Sequence, residues 1–163
     1  MRATCQARGV SDSGPRFAVL RDYPLRLWFA QNEYFEELLR EYRLLLDGQA
    51  ASSAPSAPRR LIELAEELAG RFGGVLQTVN AERQRALDEG RDRMDSRVPV
   101  SDALPAVLEH VREVLEQSDE HCRQGRLLSL PRSPELVAFA TWAGTELQAQ
   151  VRGAEPTPWP GPF

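Results

Sequence analysis

Apolar residues recur at spacings of three, four and seven along four stretches of the chain, the mark of helices with one buried face. The first stretch carries Trp28, Phe35, Leu38, Leu39, Tyr42, Leu45 and Leu46. Pro24, harmless in a first turn, suggests a start near Asp22 or Tyr23, and Asp47-Gly48 ends the stripe. This predicts a helix over 20–47. The second stripe, Leu61, Leu64, Ala65, Leu68, Phe72, Val75, Val79 and Ala86, stays in phase across Gly73-Gly74. A loop has no reason to preserve phase. One long helix over 58–89 is therefore predicted, about 45 Å long.

The third stripe is Leu104, Leu108, Val111, Leu115, Ser118 and Cys122. Ser101 is its expected N-cap and Gly125 its end, giving a helix over 101–123. The fourth is Leu136, Phe139, Ala140, Ala143, Leu147 and Val151, opened by Ser133-Pro134-Glu135, giving a helix over 134–152. Arg97-Val98-Pro99-Val100 reads as an extended connection, because the residue before a proline avoids the α region. Leu127-Leu128-Ser129-Leu130-Pro131 reads as an apolar, extended connector lying on the body. No stretch alternates with period two for long enough to predict a sheet.

Four single-stripe helices bury their stripes most economically against one another. The expectation is an all-α fold: a four-helix bundle with one long second helix and disordered termini. The domain would span 17–152, between a disordered tail at 1–16 and a Pro-rich tail at 153–163. Gln49 to Ala57, all but Gln49 being Ala, Ser or Pro, reads as a linker. Trp159 and Phe163 could dock on the body, but four prolines in the last eight residues favour a mobile end.

Composition narrows the function classes. No apolar run approaches the ~20 residues that span a bilayer. Met1 to Phe17 lacks the apolar core of a secretory signal, so a cytoplasmic location is expected. All 20 basic residues are Arg, a usage that a GC-rich coding genome explains, and the formal charge is −4. Acids and arginines interleave without a basic stripe, which disfavours nucleic acid as a partner. Cys5 and Cys122 have neither disulfide-framework nor zinc spacing.

Candidate chemistry is sparse. His110 and His121 lie about 16 Å apart along one helix, so they cannot share a metal ion. Neither has the Glu three residues earlier that di-iron bundles use. His121 and Cys122 are adjacent and so point about 100° apart, outside the reach that thiol activation needs. No catalytic constellation, metal or cofactor site is predicted, and a metal-dependent bundle enzyme is the poorest of the readings. Two uncharged amides, Gln31 and Asn32, fall between Trp28 and Phe35 beside the apolar stripe. A buried amide must be hydrogen-bonded. Both are read first as core-edge amides. The functional alternative is an aromatic-lined groove of Trp28, Gln31, Asn32 and Phe35 holding a partner's helix or a small ligand.

Several segments, in order over about residues 20–151, carry a resemblance. They are Arg21-Asp22-Tyr23-Pro24-Leu25-Arg26-Leu27-Trp28 with Glu37-Leu38-Leu39-Arg40-Glu41, and Pro58-Arg59-Arg60-Leu61-Ile62-Glu63-Leu64. Arg97-Val98-Pro99, Cys122-Arg123-Gln124-Gly125, Leu127-Leu128-Ser129-Leu130 and Ser133-Pro134-Glu135 follow. In these the chain resembles small all-helical bacterial proteins encoded beside anti-sigma-factor kinases and STAS-domain antagonists, the components of partner-switching regulation. It departs from them after Phe139, where Ala140-Thr141-Trp142-Ala143-Gly144 replaces a more polar and aromatic pattern. The resemblance implies a regulatory context and supplies no catalytic residue. The leading expectation is a non-enzymatic regulatory or adaptor protein that binds another protein, such as an anti-sigma-factor kinase or STAS-domain protein, with a homodimer as a further option. A small-ligand sensor with a pocket near Trp28, Gln31 and Phe35 is the alternative.

Overall fold

The computed structural model describes residues 16–48, 63 and 77–161. The expected linker, the Gly73-Gly74 phase continuity, most of the N-terminal tail and Phe163 lie outside them. Strand β1 (Arg16–Pro24) leads into helix α1 (Leu25–Gly48). Helix α2, described over residues 77–88, precedes strand β2 (Arg93–Val100), and helices α3 (Leu104–Arg123) and α4 (Pro134–Val151) follow.

The fold is mostly helical, but it is not all-α. β1 and β2 pair as a two-stranded antiparallel sheet, from Arg16 opposite Val100 to Pro24 opposite Arg93. The expected absence of a sheet is thus overturned. Phe17-Ala18-Val19-Leu20 is continuously apolar and shows no alternation, although the structure buries Ala18 and Leu20 and leaves Phe17 exposed. The ladder also delays α1: Tyr23 and Pro24 still pair with Met94 and Arg93, so the helix begins at Leu25. A register irregularity between Leu20 and Tyr23 puts Asp22 at φ 54°, and its N–H donates to Asp95 Oδ1 at 2.9 Å.

Both edges of this small sheet are managed. Val19 turns its N–H and C=O away from β2, onto the side-chain amide of Gln150, at 2.8 Å each. Gln150 thereby stands in for a neighbouring strand. Ladder alternation then makes Phe17 opposite Pro99 a pair exchanging no backbone bonds, so the missing N–H of Pro99 costs nothing.

Residues 157–161 are held on the body, in place of the expected mobile end. Trp159 N–H donates to Arg21 O at 3.1 Å, and Pro158 bridges Arg21 in parallel. The Trp159 ring is 7% exposed and packs edge-on against Phe139 and Trp142, with centroids 6.0 and 5.3 Å apart. Thr157 anchors the same segment: its N–H and Oγ1 donate to the Glu146 carboxylate at 2.8 and 2.6 Å. Gly161 lets the chain fold back over the indole, where a Cβ would collide with the ring.

Helix ends follow local chemistry closely at α4, where Ser133 Oγ accepts from Leu136 N at 3.2 Å and Pro134 fills the first turn. At α3 the hydroxyl of Ser101 does not cap. Its carbonyl accepts from Leu104 N at 3.0 Å, and the helix starts there. Gly125, at φ 67°, ends α3 in the left-handed turn that favours glycine. The interior forms two clusters. One gathers Leu20, Tyr23, Leu25, Trp28, Phe139 and Trp159 around the sheet. The other gathers Tyr34, Leu38, Tyr42, Val114, Leu115 and Cys122 between α1 and α3.

Candidate functional site

The four residues singled out from sequence do not converge on one groove. Trp28 is buried in the sheet-side cluster, whereas Phe35 packs against the other. Gln31 and Asn32 are half-buried between them, and Gln31 Oε1 is buried with no hydrogen-bond partner among the described residues. None of the described clefts, of about 310–380 Å³, is lined by any of the four.

Beside Trp28 lies a feature with no sequence signal. Arg83 of α2 is buried, with its guanidinium 4.5 Å from the Tyr23 ring centroid and 5.8 Å from that of Trp28. Its Nε–H donates to the buried Ser96 Oγ at 2.9 Å and its Nη1 to Asn80 Oδ1 at 3.3 Å. Among the described residues no carboxylate pairs with it. Aromatic faces and neutral acceptors carry the charge instead, and burial pushes its pKa below the ordinary arginine value.

The most organised polar geometry surrounds the loop between α3 and α4. Asp119 is buried on α3, where a stripe reading would place it beside Ser118. Its Oδ1 accepts from Tyr34 OH at 2.8 Å and from Arg132 N at 2.9 Å, and its Oδ2 from Arg132 Nε and Nη2 at 3.0 and 2.8 Å. Burial alone would raise the Asp119 pKa. The bonds from Arg132 and Tyr34 outweigh it, and the carboxyl stays below its usual range. Tyr34 moves the other way, pushed up by burial and by donating to Asp119.

A second carboxylate holds the loop from α1. Glu41 accepts from Leu128 N, from Ser129 N at 3.0 Å and from Ser129 Oγ at 2.7 Å. The loop curls around this carboxylate rather than running extended. Leu127 points into the core, but Leu128 and Leu130 are 95% and 81% exposed. Only part of the expected connector therefore lies on the body. The sequence offered a hint, since three leucines in four positions cannot all face inward from one curved loop. Which of them turns out depends on Glu41.

Cys122 lies under this loop, buried, its thiol pushed up by burial, so it is a poor nucleophile. His121, beside it, is pulled down by burial and by Arg126, and His110 Nδ1 lies 4.0 Å from Glu113 on an open face. Among the described residues, no group of three or more His, Cys, Asp or Glu is placed to hold a metal ion, and no helix is long and apolar enough to cross a membrane. Comparison with protein-family models, curated proteins and solved structures gave no significant match.

Proposed function

We propose that this chain is a non-enzymatic regulatory or adaptor protein that binds another protein, with partner-switching control of sigma factors as its setting and an anti-sigma-factor kinase or STAS-domain protein as the class of partner. The observation that carries the binding reading is the loop at 127–131. Two leucines project into solvent from a backbone tied down at both ends by carboxylates of other elements. Water gains nothing from an ordered apolar projection, whereas a partner with an apolar recess gains both the buried area and the prepaid ordering of the loop. The small-ligand reading has less support, since Trp28 and Phe35 belong to different clusters.

The test is affinity capture from the native cell with quantitative mass spectrometry, comparing the wild type with a Leu128→Asp/Leu130→Asp variant. Both side chains are exposed, so the variant should keep its circular dichroism and melting temperature. A protein captured by the wild type and lost by the folded variant supports the reading. Equal capture by both removes the loop from it.

A further inference from the structure

The outer face of α1 carries charges that pair with no other described residue. Glu36, Glu37, Arg40, Arg43 and Leu44 are all exposed, at spacings that place them on one stripe. The same spacing on α3 is internally paired: Arg112 Nη1 meets Glu116 Oε1 at 2.6 Å, and Arg112 Nη2 bonds Glu109 as well. On α1, by contrast, Glu36, Glu37, Arg40 and Arg43 form no ion pair among the described residues. Leu44, at 68% exposure, adds an apolar end to the stripe.

The order of these charges is self-complementary. Acids come first and arginines follow, so two copies of α1 laid antiparallel about a two-fold axis near Leu39–Arg40 set Glu36 opposite Arg43 of the second copy. Glu37 falls within reach of Arg40. An isologous interface requires this reciprocity, in which residue i meets j and j meets i. A parallel pairing would set like charges together. We infer that the exposed face of α1 is a self-association surface whose occupant is a second copy of this chain, docked antiparallel. A single helix pair of this length buries roughly half of the ~800 Å² per partner of a standard interface. The dimer is therefore weak, concentration-dependent and loosened by salt. It adjoins the loop assigned to partner binding, since Glu37, Arg40 and Leu44 line one cleft with Leu128 and Ser129, and it is measured on the pure protein, where no other partner is present.

The experiment is analytical ultracentrifugation of the wild type and of two charge-swapped chains, Glu36→Arg/Glu37→Arg and Arg40→Glu/Arg43→Glu, over a wide concentration range. The first variant has an all-basic stripe and the second an all-acidic one. Each alone should associate about 100-fold more weakly than the wild type, since like charges then face each other across the axis. Mixed in equal amounts, the two should form a heterodimer, because every basic position meets an acidic one. Circular dichroism confirms that both are folded. A wild type that stays monomeric at millimolar concentration overturns the inference. So does a single variant that associates as tightly as the wild type, or a mixture that stays monomeric.

Discussion

Asp119 and Arg132 form an ion pair in which both side chains are 4% exposed and the carboxylate accepts three bonds from one arginine, two from its guanidinium and one from its backbone. The pair joins α3 to the approach of α4, and Tyr34 joins α1 to it. One buried charge thus sets the path of the loop that displays Leu128 and Leu130.

Removing one member should leave the other buried without its counter-charge, which costs about 3–5 kcal/mol. Asp119→Asn and Arg132→Ala should each lower stability by that order in urea titrations. A double replacement by apolar residues of similar volume should recover part of it. Single variants that melt with the wild type would show that the pair is solvated in solution.

Acid should weaken the fold through two carboxylates. Asp119 and Glu146 both have pKa values held below the ordinary range, burial opposing and hydrogen bonds prevailing. Their stabilisation is fully present above the unfolded values of about 4 and is lost as pH falls through the lower folded values. Stability measured by denaturant titration should be flat in these groups near neutrality and fall below about pH 4. An Asp119→Asn/Glu146→Gln variant should be less stable at pH 7 and lose less on acidification.

Trp159→Ala should cost about 3–5 kcal/mol, as deletion of a buried large aromatic does. It should also change the near-ultraviolet dichroism of Trp142, its edge-on neighbour. A variant with unchanged melting and spectrum would place the segment off the body.

Glu41→Ala should free the loop without dismantling the core. Hydrogen exchange at the Leu128 and Ser129 amides should quicken, because both N–H groups lose their acceptor. Partner capture should weaken with it, as ordering of the loop then has to occur on binding. Unchanged exchange at both amides would mean that Glu41 does not hold the loop.

In a Cys5→Ser background, Cys122 should react with a thiol reagent far more slowly in the native protein than in denaturant, since it is buried and its pKa is raised. Equal rates would contradict its burial.

The amino-acid sequence by itself determined the helices and several of their ends. Helical spacing is a local property, so the stripes of α1, α3 and α4 were legible, as were Ser133 before Pro134, Gly125 after α3 and the burial of Trp28. Only the tertiary structure decided the rest. Arg16–Pro24 becomes a strand because Arg93–Val100 lies beside it, and no window along the chain contains both. Pro158 and Trp159 are held because Arg21 offers a carbonyl and Phe139 and Trp142 an aromatic surface. Nothing in the local sequence sets Asp119 and Glu41 apart from the other helix acids, and only the fold brings loop N–H groups within reach of them. The outward turn of Leu128 and Leu130 followed. Side-chain spacing decides which residues share a face, but the meeting of distant faces decides which polar groups are satisfied inside and which apolar ones are left for a partner.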